Sequence, residues 1–176
     1  MIGTLSTYPA REHPELLAPP VVAALETFPE DAVLVAEIDP SVADTAAFCE
    51  RYQVPLEQSA NCVVVAGRRG ERSMLAACVV LATTRADVNG IVRKHLGARK
   101  ISFAATDIAV SLTGMEYGGI TPVGLPADWP ILVDERVTEQ ERVIIGSGIR
   151  GSKLLAAADV LARLPNAEVL NIVKEP

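Results

Sequence analysis

Histidine and cysteine are both scarce in this sequence, with two and three copies in 176 residues. The cysteines, Cys49, Cys62 and Cys78, form no Cys-x-x-Cys pair, and three thiols cannot close a disulfide set. This usage fits a reducing compartment, and a cytoplasmic protein is the expectation. His13 and His95 do not stand at ligand spacing from a cysteine, so no metal site is expected and no cofactor is implied. The same scarcity weighs against a Ser-His-Asp triad. Such a triad would need His13, in a polar lead-in, or His95, in a basic helical stretch, and both read as solvent-exposed. No apolar run approaches the 18 residues of a membrane span. Met1 to Pro20 lacks the basic-then-apolar order of a signal peptide. Repeats and low-complexity tracts are absent as well. Hydrophobic residues at 49% and charged residues at 22% are ordinary globular values and argue against disorder.

A formal charge of −6 weighs against a nucleic-acid binder as a total, and DNA is not expected as a partner. The charge is not spread evenly. Residues 1–60 sum to −8, residues 61–100 to +6 and residues 101–176 to −4. Arg68 and Arg69 fall in an expected turn, and Arg93, Lys94, Arg99 and Lys100 cluster at an expected helix end. Cations so placed serve phosphate contacts, or else form a solvated helix face.

The pattern along the chain alternates. Pro19-Pro20 opens a helix carrying Val21, Val22, Leu25 and Phe28 at helical spacing. Ala32 to Ile38 reads as a strand. Asp39-Pro40 caps a helix that runs to about Tyr52. Cys62 to Ala66 and Ser73 to Leu81 read as strands around a Gly67-Arg-Arg-Gly70 turn. Thr84 is expected to cap a helix that Gly97 stops. Lys100 to Ala104 is a strand, and Thr106 to Thr113 a helix ended by Gly114. Residues 131–133, 142–145, 153–155 and 168–173 read as strands, with a helix over 157–164. Such mixing predicts an α/β or α+β domain with a mixed sheet.

Two glycine-rich stretches, Gly67 to Gly70 and Gly146-Ser-Gly-Ile-Arg-Gly151, do not carry the Walker spacing. The second matches Gly-x-Gly-x-x-Gly but leads into a strand, so it reads as a turn. Ser147 is not in a Gly-x-Ser-x-Gly elbow. Cys62 reads as a small buried residue rather than a nucleophile. Met74, Met115 and Tyr117 are pocket lining or core. The long loop of residues 115–130 is the candidate functional segment, because paired Gly118 and Gly119 let backbone approach a ligand and Pro122 stiffens the turn. Backbone groups held in this way orient a water or an oxyanion.

That loop, Gly118-Gly-Ile-Thr-Pro-Val-Gly124, resembles the Gly-x-x-x-Pro loop of the YbaK/prolyl-tRNA-synthetase-associated domain family, the aminoacyl-tRNA deacylases. Asp44-Thr-Ala-Ala-Phe-Cys-Glu-Arg-Tyr-Gln-Val-Pro55 is similar to the family's helix before the first central strand. Arg93-Lys-His-Leu-Gly-Ala-Arg-Lys-Ile101 is similar to its basic helix exit. Ile131-Leu-Val-Asp-Glu135 and Ile145-Gly-Ser-Gly-Ile-Arg-Gly151 resemble its two later signatures. The tail, Leu155 to Val173, matches too. The resemblance spans residues 30–174, with residues 1–29 as a lead-in and helix.

The resemblance implies a single domain with a curved mixed sheet, partly barrel-like, flanked by helices. It implies hydrolysis of the ester between a mischarged amino acid and the 3′ end of tRNA. It places Gly118 as the loop glycine that positions substrate and water, with Gly119, Thr121, Pro122, Thr45, Ser147 and Gly148 in substrate binding. Arg68, Arg69, Arg93, Lys94 and Lys100 become tRNA contacts, and a synthetase a further partner. One departure stands out: Asn61, expected with Gly118 as a catalytic residue, occupies the place of the family's usual lysine, and an amide offers dipoles where an ammonium offers a full charge. Two functions therefore compete: a free-standing editing hydrolase, and a relative that holds the aminoacyl end without cleaving it. A third, weaker reading is a structural partner of a synthetase, in which the basic segment meets protein rather than RNA.

Overall fold

The longest continuous pairing in the chain is a ten-residue hairpin, and it organises the fold. The computed structural model describes residues 2–175. In chain order the strands are β1 (Tyr8–Pro9), β2 (Val33–Glu37), β3 (Ala60–Arg69), β4 (Arg72–Leu81), β5 (Lys100–Phe103), β6 (Ile131–Asp134), β7 (Arg142–Gly146), β8 (Ser152–Ala157) and β9 (Ala167–Leu170). The α-helices are α1 (Pro19–Leu25), α2 (Thr45–Tyr52), α3 (Arg93–His95), α4 (Thr106–Thr113), α5 (Glu135–Thr138) and α6 (Ala158–Ala162). Short 3-10 turns and a π-helical stretch, Val88–Val92, complete the regular structure.

The strands form a mixed α/β domain of two sheets. One is antiparallel with order β1-β2-β8-β7, and the other is mixed with order β5-β3-β4-β6-β9. Within the second, β3 pairs antiparallel to β4 and β5, while β4–β6 and β6–β9 are parallel. A single parallel bridge, Ser59 to Ile144, links the sheets, so the expected curved sheet is split at this point without closing a barrel.

Period-2 alternation explains the layering. Val33 and Val35 of β2, Ala77 and Val79 of β4, Ile131 and Val133 of β6, and Leu154 and Ala156 of β8 share one core between the sheets. Their neighbours point outward. Ala76, Cys78 and Val80 pack under the helical stretch of Val88 and Val92. Ala36, Ile144 and Leu155 pack under Phe48 and Cys49 of α2. Strands covered on both faces need no polar alternation, which is why they read as continuous apolar runs. Residues before position 30 join the same structure. β1 pairs with β2, and Ala10, Leu17, Ala18, Val21 and Leu25 enter the core between the sheets.

Several local expectations change. The hairpin strands continue through Arg68 and Arg69 to pair Arg69 with Arg72, so the turn is Gly70-Glu71, with Gly70 at φ 62°. Ladder hydrogen bonding carries the arginines into strand where the glycines alone suggested a loop. Thr84 does not cap a helix: its hydroxyl donates back to the Leu81 carbonyl. The cap is Asp87, whose carboxylate accepts from the Gly90 and Ile91 amides. The segment after Asp39 divides in two. Asp39 caps a 3-10 turn over Pro40–Val42, and Asp44 then caps α2 by accepting from the Ala46 amide. The first helix ends at Leu25 rather than Phe28, and the last strand at Leu170, beyond which Val173 bridges to Ala86.

Candidate functional site

β5 pairs with β3 only from Val65 to Arg68. The edge of β3 is therefore uncovered over Ala60 to Val63, and a cleft of about 460 Å³ opens there. Its walls are β3, the start of α2, the loop through Tyr117, Gly118 and Ile120, and Gly146, Arg150 and Lys153. The α2 side begins at Thr45, the first helical residue after the Asp44 cap. Its hydroxyl donates to Asn61 Oδ1 at 2.6 Å. That bond fixes the amide plane and leaves Nδ2 as the donor on Asn61.

The opposite wall is backbone packed on backbone. The Gly148 amide donates to the Gly119 carbonyl at 2.7 Å, and the Glu116 amide to the Gly148 carbonyl at 2.8 Å. A Cβ on Gly119 would meet the Ile149 backbone at 2.7 Å, and one on Gly146 would meet the Gly119 carbonyl oxygen at 2.6 Å. No side chain fits at either position, so both glycines are sterically required. Gly118 itself is exposed, with φ 82°, and its N–H meets no acceptor among the described residues.

Arg150 ties this wall together. Its guanidinium donates to the Tyr117 carbonyl at 3.2 Å and to the Pro40 carbonyl at 3.1 Å. Its backbone amide donates to Glu116 Oε1 at 2.8 Å. One arginine thus spans the glycine loop and the turn before α2, which keeps the two walls of the cleft at fixed separation.

The structure divides the expected site residues into three groups. Asn61, Thr45 and Gly118 line the cleft together. Gly119, Thr121, Pro122, Ser147 and Gly148 are buried behind it. Ser147 exchanges hydrogen bonds with Ser152 and Ile149, which shapes the turn rather than facing the opening. Among the described residues the buried Thr121 hydroxyl has no hydrogen-bond partner, although its amide contacts Met115 sulfur. The basic residues form the third group, away from the cleft. Arg68, Arg93 and Lys100 line a separate groove of about 600 Å³ together with Arg99. Arg69 donates to the Gly97 carbonyl on the neighbouring face, and Lys94 is exposed beside it. Seven residues separate Asn61 from Arg68 along β3, or roughly 23 Å at strand rise.

Two residues of the cleft, Arg150 and Lys153, were not among those expected from sequence. Lys153 opens the apolar run of β8, and a lysine inside a buried strand is the signal that marks it. Cys62 also lines the cleft. Burial pushes its thiol well above the usual range, which suits an inert side chain rather than a nucleophile.

Among solved structures, that of a candidate trans-editing enzyme for prolyl-tRNA synthetase superposes with a TM-score of 0.75 at 24% identity, covering 90% of this chain and 97% of the other. A hypothetical protein superposes with a TM-score of 0.70 at 20% identity, covering 80% of this chain and 90% of the other. A candidate signal transduction protein from Marinobacter aquaeolei VT8 matches with a TM-score of 0.57 at 21% identity, over 89% of this chain but 31% of that longer one. At these identities the likeness establishes the fold. The sequence profile of the aminoacyl-tRNA editing domain matches residues 39–164, which include Asn61, the Gly118 loop, Arg150 and Lys153. The chain therefore belongs to the aminoacyl-tRNA editing domain family.

Proposed function

We propose that this protein hydrolyses the ester joining an amino acid to the 3′ end of tRNA. The observation that carries the reading is the meeting, across one cleft, of the Gly118 N–H, without an acceptor among the described residues, and the Thr45–Asn61 pair in a chain of the editing family. Water adds its oxygen to the ester carbonyl carbon, the bond from that carbon to the ribose oxygen breaks, and a proton passes to the departing ribose oxygen. The free amino acid gives its remaining acidic proton to solvent. A backbone N–H at Gly118 suits a carbonyl oxygen or the attacking water, and the Asn61 amide suits a ribose hydroxyl. The Arg68, Arg93, Arg99 and Lys100 groove suits phosphates further along the acceptor end, in the cytoplasm where tRNA is charged.

Deacylation of a panel of mischarged tRNAs tests the reading, with the native chain compared with Gly118→Ala. The expected outcome is hydrolysis of at least one pair well above the spontaneous rate, lost in the variant. No acceleration on any pair would refute it. A second reading has its own observation: Asn61 is neutral and already bonded to Thr45, which favours a protein that holds the aminoacyl end without cleaving it. Tight binding without turnover would select that reading.

A further inference from the structure

The cleft contains two cations, and they differ in what is left for a ligand. Arg150 is committed to the Tyr117 and Pro40 carbonyls. Lys153 is 8% exposed, yet it lines the cleft. It stands opposite Gly146 on β7 and Ala36 on β2. Paired residues share a face, so Lys153 lies on the face of the sheet turned toward the Gly119–Ile120 backbone that meets Gly146. Its ammonium donates to the Ala43 carbonyl at 3.1 Å and lies 5.3 Å from the Phe48 ring centre. No carboxylate among the described residues pairs with it within 4.0 Å.

Burying an ammonium is costly unless it is paired and fully hydrogen-bonded. The Ala43 carbonyl takes one N–H, which leaves two of the three donors without a hydrogen-bond acceptor among the described residues. Replacing such a group with an apolar side chain is commonly neutral or stabilising for the fold, so stability alone does not account for it.

We propose that Lys153 is the catalytic cation of the cleft, its ammonium set to receive the ester carbonyl oxygen as that oxygen becomes negative. The proposal rests on the hydrolytic reading above. The positive charge acts only as the tetrahedral intermediate forms, so its effect falls on turnover rather than on binding of the neutral ester. Burial lowers the tendency of Lys153 to hold its proton; Cys49 and Asp44, on the α2 side, oppose this, and Arg150 adds to it.

The test is Lys153→Met, measured in two ways. In deacylation, kcat is expected to fall about 100- to 1000-fold with KM nearly unchanged and Tm unchanged or raised. In binding, an anionic phosphonate mimic of the tetrahedral intermediate is compared with a neutral amide analogue of 3′-aminoacyl-adenosine. The native chain should prefer the phosphonate, and the variant should lose that preference while keeping its affinity for the amide. A folded variant with kcat within threefold of native, or with the phosphonate preference intact, overturns the proposal. If the native chain hydrolyses nothing, the hydrolytic reading fails. The catalytic role of Lys153 falls with it, while the binding comparison separately decides whether the Lys153 ammonium holds the oxyanion: a phosphonate preference that depends on it supports that contact, and its absence overturns it.

Discussion

Gly118→Ala probes the loop through a cost that can be worked from geometry, with Gly70→Ala as its reference. Both glycines have left-handed backbones, at φ 82° and 62°. At Gly70 a Cβ meets nothing within 4 Å. The whole penalty there is conformational, roughly 1–2 kcal/mol. At Gly118 the added Cβ falls 2.5 Å from Arg150 Nη1, so the guanidinium must move. Its bond to the Tyr117 carbonyl is then lost. A charged hydrogen bond contributes about 1.5–3 kcal/mol, and partial exposure places this one at the lower end. Gly118→Ala should therefore cost roughly 1–2 kcal/mol more than Gly70→Ala. For a chain of this length, that is a further fall in Tm of about 2–8 °C. Thermal unfolding by circular dichroism measures both, and repeating Gly118→Ala in an Arg150→Ala background isolates the coupling. In that background the penalty should shrink to the Gly70 value. Equal losses at the two glycines in the native background, or an unchanged Gly118 penalty without Arg150, would show that Arg150 does not set the cost at Gly118.

Gly148→Ala, in the turn packed against the Gly118 loop, should be strongly destabilising, because φ is 90° and the new Cβ lands 2.3 Å from Ala18 Cβ; strain plus overpacking of about 2–5 kcal/mol should show as a large loss in denaturant midpoint. Asp134 is fully buried and accepts from the Arg136 and Ile172 amides, so Asp134→Ala should cost about 2–4 kcal/mol by urea unfolding. Burial pushes the Cys78 thiol up to about 12 from an ordinary 9.0. The folded state then keeps a proton that the unfolded chain releases, so stability is full below pH 9 and falls by about 1.4 kcal/mol per pH unit through that window. Cys78→Ala should flatten that part of the pH–stability curve. If the Arg68–Lys100 groove holds RNA phosphates, Arg93→Ala should lower the slope of log binding against log salt by about 1; an unchanged slope would remove the groove from the interface.

The linear order of residues determined much of the fold. Cys62 to Ala66 and Ser73 to Leu81 declare themselves as strands because both faces are covered and no polar residue need interrupt them. Gly114 stops α4 in a left-handed conformation, as its position after Thr113 foretells. The glycine pair at 118–119 marks a backbone-lined wall, because a side chain at Gly119 would collide with Ile149. Local signals failed where ladder bonding overrode them, as at Arg68 and Arg69, or where a stronger carboxylate cap stood three residues beyond Thr84. Sheet pairing and helix packing alone bring the distant residues of the cleft together. Thr45 and Asn61 meet because α2 folds over the open edge of β3. Lys153 reaches the same opening, 92 positions after Asn61, because β8 lies between β2 and β7 with Gly146 opposite it. The basic segment is contiguous in sequence with Asn61, but an extended strand of seven residues carries its cations to the far end of the sheet. Sequence distance sets reach along a strand, whereas sheet pairing sets neighbourhood, and the site is built by pairing.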